Sequence, residues 1–176
     1  MLMVAAALST PLAAQSAWSL GFAATLGGGW QLEGADVGYL RDLHLGPIRS
    51  ATVGARLGTF IDEGAIVGGS RGFLGGLGVA LRTGLATLAD VGNETNPTPF
   101  GLDLTVEVAG YAANNTPLSV GSPWVAISVL PGLLVGSGEG PRYSVVVGPM
   151  VDFGSGTTVR AFLGLRFEVP RMREKS

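Results

Sequence analysis

The stretch FGLDLTVEVA, residues 100–109, alternates large apolar side chains with small or charged ones. Successive side chains of a β-strand point to opposite faces of a sheet, so a period of two is typical of a strand. The apolar face runs from Phe100 to Val108, whereas Asp103 and Glu107 lie on the opposite face. This stretch therefore predicts a strand with one apolar surface and one polar surface.

The same alternation recurs along most of the chain, in eight segments including this one. Their apolar faces begin at Trp18, Ala35, Ala51, Phe73, Phe100, Val125, Tyr143 and Val159. Stretches rich in turn-forming residues separate most of them, at residues 43–48, 62–70, 89–98, 114–123, 136–141 and 154–156. Eight strands joined in sequence predict an all-β fold, an antiparallel up-and-down β-barrel of about eight strands.

The composition favours strands that meet something less polar than water. Only 14% of the 176 residues are charged and the mean hydropathy is +0.42, whereas an ordinary soluble domain has about 25% charged residues. No uninterrupted apolar run reaches about 18 residues, which disfavours a helical membrane span. The 29 glycines disfavour a helical bundle, since each costs roughly 1 kcal/mol inside a helix. A net charge of −2 gives no reason to expect nucleic acid as a partner.

Charges and small residues indicate which face meets which environment. Outside the short second segment, every charge within a strand core falls opposite the large apolar residues, where most other residues are small. An arginine or lysine facing mid-bilayer lipid costs about 2–4 kcal/mol, so a lipid-facing surface excludes charge. We predict a narrow lumen filled by small side chains and by a structural ion-pair network of Arg56, Arg82, Asp103, Glu107, Asp152, Arg160, Arg166 and Glu168.

Aromatic residues lie near the ends of the segments on the apolar face. They are Trp18, Tyr39, Phe73, Phe100, Tyr143, Phe153 and Phe167. Aromatic girdles at the two membrane interfaces require this placement. Core aromatics at the ends of strands are the alternative interpretation.

With these features the chain resembles the small outer-membrane β-barrel proteins, the group that includes OmpA-like and OmpX-like barrels. The resemblance is one of pattern and covers Trp18 to Val169. Its most specific element is the last strand, GLRFEV at residues 164–169, which is similar to the signal for barrel assembly; here further residues follow it, and Phe162 stands where a polar residue is usual. The resemblance implies a porin-like membrane protein of a Gram-negative-type bacterium, with the outer-membrane bilayer and the barrel-assembly machinery as partners.

The first residues predict export. Residues 1–17, MLMVAAALSTPLAAQSA, are apolar and end in a small-residue cluster that suits signal peptidase. We expect a cleaved signal peptide over 1–17, a barrel domain over 18–169 and a tail over 170–176. No lysine or arginine precedes the apolar stretch, so a hydrophobic first strand is the alternative. The basic tail is expected to be solvated, with contact to anionic lipid or peptidoglycan as its alternative.

Residues with catalytic potential are few. His44 is the only histidine and falls in the predicted turn at 43–48, where we expect a structural role. Asp103 and Glu107 point to the same face and are the candidate pair for a shared proton, although salt bridges with the arginines need no further assumption. With no cysteine and no calcium-loop spacing, the sequence predicts no metal, no cofactor and no catalytic set, and we expect no enzymatic activity.

Two features fit a barrel poorly. Pro131 and Pro149 fall inside the sixth and seventh segments, and a proline cannot donate to the ladder of a closed sheet. We therefore expect a bulge there, or an open sheet. The longest predicted connection, 89–98, falls where outer-membrane barrels have a short periplasmic turn.

Three functions remain open from the sequence. The first is an outer-membrane barrel with a structural or interaction role. The second is a narrow pore, or a barrel that binds a small ligand. The third is a soluble, exported, lipocalin-like carrier, which would turn its apolar face inward. The oligomeric state is not predicted.

Overall fold

The computed structural model describes residues 16–62, 70–93, 96–114, 120–136 and 140–170. They form β1 (Ser16–Leu26), β2 (Trp30–Leu45), β3 (Ile48–Asp62), β4 (Ser70–Asn93), β5 (Asn96–Ala113), β6 (Trp124–Val135), β7 (Arg142–Phe153) and β8 (Thr157–Pro170). Each strand pairs antiparallel with the next, and β8 pairs with β1. The predicted up-and-down barrel of eight strands is confirmed. The described part of the chain contains no helix long and apolar enough to cross a membrane.

Burial follows the period of the sequence. In β6 every even-numbered side chain from Trp124 to Leu130 is buried inside the barrel, and every odd-numbered one from Val125 to Val129 is exposed. The other strands alternate in the same way, so most of the small and charged residues face the lumen and most of the large apolar residues face outward.

The barrel has two distinct ends. The termini end holds Ser16 and Pro170, where β1 and β8 begin and end. The loop end holds the β1–β2 turn, in which Gly27, Gly28 and Gly29 have φ angles of 107°, 75° and 80°. Only glycine adopts such left-handed conformations at little cost, so three in succession let the chain reverse tightly.

Several boundaries differ from the sequence prediction. The second segment is a 16-residue strand, and His44 lies in β2 rather than in a turn. The reversal after it is short because Gly46, with a φ of 57°, lets Leu45 pair with Ile48. The sheet includes Ser16, Ala17 and Pro170, just beyond the predicted domain bounds. Residues 1–15 of the predicted signal peptide and residues 171–176 of the predicted tail lie outside the described residues.

The predicted connection at 89–98 is wrong. β4 and β5 continue to pair through this stretch until Asn93 faces Asn96. β3 leaves β4 at Thr83, and β6 leaves β5 at Phe100. The last part of the hairpin is therefore a two-stranded ribbon that extends past the termini end of the barrel.

The bulge or open sheet expected at Pro131 and Pro149 is also wrong, because the barrel closes and β6 and β7 keep one register on both sides of the prolines. The pairing instead skips Val129–Pro131 and Val147–Pro149. The backbone N–H of Gly136 donates to the carbonyl oxygen of Pro99 in β5. Successive residues of an antiparallel strand direct their backbone N–H and C=O groups to opposite neighbours, so even-numbered residues of β6 hydrogen-bond with β5 and odd-numbered ones face β7. Both proline nitrogens thus face the boundary between β6 and β7, which we call the β6–β7 seam, and each removes one backbone hydrogen-bond donor there.

Candidate functional site: the barrel lumen

Charged side chains of five arginines and six carboxylates meet inside the barrel, in three clusters along its axis. Each comes from an inward position of its strand. Moving a charge out of water costs several kcal/mol unless a partner and further hydrogen bonds compensate. The pairing described below is thus a condition for folding this barrel.

The termini cluster is centred on Glu168 of β8. Arg82 Nη1 and Nη2 donate to its two oxygens at 2.7 and 3.1 Å, a bidentate contact. Arg142 Nε lies 2.9 Å from Glu168 Oε2, and its Nη1 lies 3.5 Å from Asp42. Arg82 Nε also approaches Asp103 to 3.7 Å. The cluster ties β2, β4, β5, β7 and β8 together across the lumen.

The central cluster is built around Arg56 of β3. Its Nε and Nη2 donate to the two carboxylate oxygens of Asp36 at 2.5 and 3.2 Å. Its Nη2 also donates to Glu107 at 3.2 Å, and Nη1 donates to the Tyr111 hydroxyl. Glu107 accepts a second bond from Arg166 at 2.6 Å. Glu107 is therefore shared by two arginines from opposite sides of the barrel.

The loop cluster is a single pair with backbone support. Arg160 Nε donates to Asp152 at 2.7 Å, and both side chains are at most 1% exposed. Arg160 Nη1 donates to the carbonyl oxygens of Gly27 and Trp30 at 2.5 and 2.6 Å. The guanidinium thus fixes the β1–β2 turn to β7 and β8, the strands that follow β1 around the barrel.

Apolar side chains fill the space between the central cluster and the loop end. Phe60, Met150 and Phe162 are at most 1% exposed. Tyr111 stacks on Trp124 with ring centroids 5.4 Å apart. The Arg56 guanidinium lies 5.0 Å from the centre of the Phe162 ring, a cation–π distance. Phe162, unexpected in sequence at an inward position, therefore packs against the central arginine.

Two of the cavities in the lumen are large enough to hold water. One of about 50 Å³ lies beside Arg56, Glu107 and Arg166, which is room for roughly one to three waters. The other, about 250 Å³, opens at the termini end and is lined by Arg49 and Asp103 among others. Both oxygens of Asp103 accept no hydrogen bond from any residue that the structure describes. A polar space of this size has room for several waters.

The structure places all eight residues of the predicted network in these clusters. Asp103 and Glu107, the candidate pair for a shared proton, belong to different clusters and each pairs with arginine instead. In the part of the chain described, no group of three or more acidic, histidine or cysteine side chains is placed to hold a metal ion.

Sequence reasoning missed Asp36, Asp42, Tyr111 and Arg142. Asp36 lies on the polar face of the short second segment, whose charges were left out of the predicted network. Tyr111 follows the same alternation as the inward residues Asp103 and Glu107 of the fifth segment. The signal for these two was present. Asp42 and Arg142 lie next to predicted turns, where the alternation gives no guide to the direction of a side chain.

Comparisons of the chain with family models, with curated proteins and with solved structures give no match.

Proposed function

We propose that the chain is an outer-membrane β-barrel protein with a structural or interaction role and a plugged lumen. The single observation that carries the proposal is the outward surface. Large apolar side chains are exposed on all eight strands, with Leu57 at 71% and Leu77 at 73%. Soluble proteins rarely expose continuous apolar surface of this extent, because each side chain would order water at a cost. A bilayer is the environment that suits it.

The outward charges lie near the ends of the strands, which leaves a band of the outward surface between them for the bilayer. Among the side chains that the structure describes, the outward strand positions that carry charge are Glu33, Arg41 and Arg71. Each lies within five residues of a strand end, near the interface rather than mid-depth. The shortest strand, β1, has 11 residues, and about 9–11 tilted residues span a bilayer.

Outward aromatic pairs mark the termini end. Trp18 contacts Tyr39 edge to face with ring centroids 5.6 Å apart, and Tyr143 contacts Phe167 at 4.9 Å. Trp18 and Tyr39 are neighbours across β1 and β2, and β8 joins the two pairs through the contact of Trp18 with Val169. Trp and Tyr prefer the interface, where one side of the ring meets lipid and its polar atom meets water.

The lumen supports a structural role over transport. The three ion-pair clusters and the aromatic packing leave only about 50 Å³ in the middle of the barrel. A soluble carrier of the lipocalin type would turn its apolar residues inward around a ligand, and here they point outward. The outward Leu and Val residues thus favour a membrane protein over the soluble carrier, and the filled lumen favours a structural role over a pore.

Cell fractionation followed by electrophoresis with and without boiling tests the proposal. We expect the chain in the outer-membrane fraction, and a band that migrates faster before boiling because a closed barrel resists detergent. We expect purified protein to leave planar bilayers sealed. Recovery of the chain in the soluble periplasmic fraction would refute the membrane location, and stepwise conductance would refute the plugged lumen.

A further inference from the structure

The cavity of about 250 Å³ at the termini end, which we call the termini pocket, contains two charged groups that the ion-pair clusters leave unsatisfied. Asp103 is 3% exposed, and both its carboxylate oxygens lack a hydrogen-bond donor among the described residues. Arg49 lines the same pocket, and its guanidinium makes no hydrogen bond or ion pair with any residue that the structure describes. The pocket therefore presents one carboxylate and one guanidinium that lack hydrogen-bond partners.

Arg82 is the cation nearest to Asp103, but it does not satisfy the carboxylate. Its Nε lies 3.7 Å from Asp103, beyond hydrogen-bond distance, while its two Nη groups donate to Glu168. A buried carboxylate that accepts no hydrogen bond is rare in native proteins, and each case calls for an explanation. Donors that a ligand brings into the pocket would supply the missing bonds.

A β-bulge directs Arg49 into the pocket. Ile48 and Ser50 pair with successive residues of β4, so Arg49 between them is an extra residue without a partner across the sheet. Bulges of this kind re-aim a side chain and are common beside active sites. The guanidinium lies over Gly84, where an added Cβ would collide with it. Because Gly84 pairs directly with Asp103, the two unsatisfied groups are neighbours.

The charges around the pocket indicate the kind of ligand that fits. An anion alone would meet the carboxylate of Asp103, and a cation alone would meet the guanidinium of Arg49. A molecule that carries both charges satisfies both groups, since its ammonium can donate to Asp103 and its acid group can accept from Arg49. The remaining charged residues of the lining are balanced, because Arg142 pairs with Asp42 and Arg82 with Glu168.

The size of the pocket and its closed inner side limit the ligand further. Pockets for drug-sized ligands measure about 300–1,000 Å³, so this pocket suits a smaller molecule. Pro99, Phe100 and Leu134 also line it, which provides a surface for a short apolar side chain. Only about 50 Å³ is open in the middle of the barrel, so a ligand would enter and leave at the termini end.

We propose that the termini pocket binds a small zwitterion, in which a primary ammonium lies a few bonds from an acid group. Asp103 receives the ammonium and Arg49 binds the acid group. Free amino acids and the ethanolamine phosphate headgroup of a lipid share this chemistry. The site goes beyond the structural role proposed above, and it does not depend on the membrane location because it lies inside the barrel.

Titration calorimetry of the full chain in a non-ionic detergent tests the proposal with matched probes. L-leucine carries both charges, whereas leucinamide lacks the carboxylate and N-acetyl-leucine lacks the ammonium. We expect saturable binding of L-leucine or of glycerophosphoethanolamine, and each single-charge analogue to bind about tenfold or more weakly, because a charged hydrogen bond is lost. The tighter of the two zwitterions identifies the source as an amino acid or a lipid headgroup.

Two variants assign the partners of the two charges. Asp103→Asn should weaken binding of the zwitterion but not of N-acetyl-leucine, whose carboxylate still meets Arg49. Arg49→Gln should weaken binding of the zwitterion but not of leucinamide, whose ammonium still meets Asp103. Arg41→Gln is the control and should leave binding unchanged, since Arg41 is exposed at the same end of the barrel and does not line the pocket.

Three outcomes would overturn the proposal: no saturable binding of either zwitterion, equal affinities for L-leucine and its single-charge analogues, or variants at Arg49 and Asp103 that bind like the parent chain. Heat-modifiable migration is measured on the same samples, so that a loss of binding through unfolding is recognised. Arg49 is exposed and makes no contact that the barrel needs, so Arg49→Gln tests the site even if Asp103→Asn fails to fold.

Discussion

Asp152 is the residue whose loss the barrel is expected to tolerate least. It is 0% exposed, and Arg160 beside it donates to no other carboxylate among the described residues. Asp152→Asn keeps the size of the side chain but leaves a buried guanidinium without its counter-charge, which costs about 3–5 kcal/mol. Urea unfolding in detergent measures the change. Arg41→Gln, at an exposed position, is the control and should change the unfolding free energy little.

If Asp152→Asn unfolded at the same urea concentration as the parent chain, the loop cluster would contribute nothing to stability. The arginine would then be solvated in the folded barrel rather than buried beside Asp152.

Glycine substitutions separate the inward from the outward surface. Gly58→Ala places a Cβ 2.0 Å from the Glu33 carbonyl oxygen and 2.6 Å from the Gly34 Cα, so β2 and β3 must move apart. We expect a loss of about 1–3 kcal/mol. Gly110→Ala meets no atom and restricts the unfolded chain, so it should stabilise by roughly 0.4–1 kcal/mol. Unfolding of both variants, side by side in monomeric detergent solution, gives the comparison; equal effects would contradict the assigned faces.

At this scale the sequence predicts which residues face inward but not which of them pair. Direction follows from the period of two within each strand. Pairing depends on the register between strands and on their curvature, which bring Glu168 of β8 to Arg82 of β4. Neither quantity is contained in the alternation.

The pairing of β6 with β7 is interrupted between Val129–Pro131 and Val147–Pro149. In this register Pro131 faces Val147 and Pro149 faces Val129. Because proline has no backbone N–H, the carbonyl oxygens of these two valines receive no hydrogen bond from the facing strand. We expect amide hydrogen exchange to be faster at Val129 and Val147 than at Ile127 and Val145, the neighbours in the same register. In a Pro131→Val, Pro149→Val variant the difference should disappear, because two donors are restored. Exchange is read residue by residue by NMR in detergent micelles; equal rates in the parent chain would show that the seam is closed.

The ribbon at the end of β4 and β5 is expected to be the least stable element. A two-stranded hairpin without further strands is marginal in water, and from Leu85 to Asn93 β4 has only β5 beside it. Proteinase K should cut the ribbon first and leave the rest of the barrel resistant. Intact-mass analysis locates the cut. Cleavage first at the tight turn after Gly154 would contradict this order.

The ribbon also shows where element prediction fails. Residues 89–98 contain the glycine, asparagine and proline residues of a turn, yet the strands run through them and reverse only between Asn93 and Asn96. Local composition marks a reversal somewhere in such a stretch and does not locate it. The connections at 114–123, 136–141 and 154–156 were predictable because clear alternation stops sharply at both sides of each.

At the scale of the whole molecule, the strand number and the antiparallel order followed from the sequence. Closure was predicted as part of the barrel although two prolines argued against it, and the alternation itself gives no measure of how the strands tilt.

The central claim is that the outward surface meets lipid. A nitroxide scan of single cysteines at Val125, Ala126, Ile127, Ser128 and Val129, in lipid vesicles, tests it most directly. We predict that the labels at Val125, Ile127 and Val129 collide with oxygen, which concentrates in lipid, and are shielded from a water-soluble nickel chelate, while the two lumen positions between them are shielded from both. Higher collision rates with nickel than with oxygen at the odd-numbered positions would place that surface in water and contradict the account.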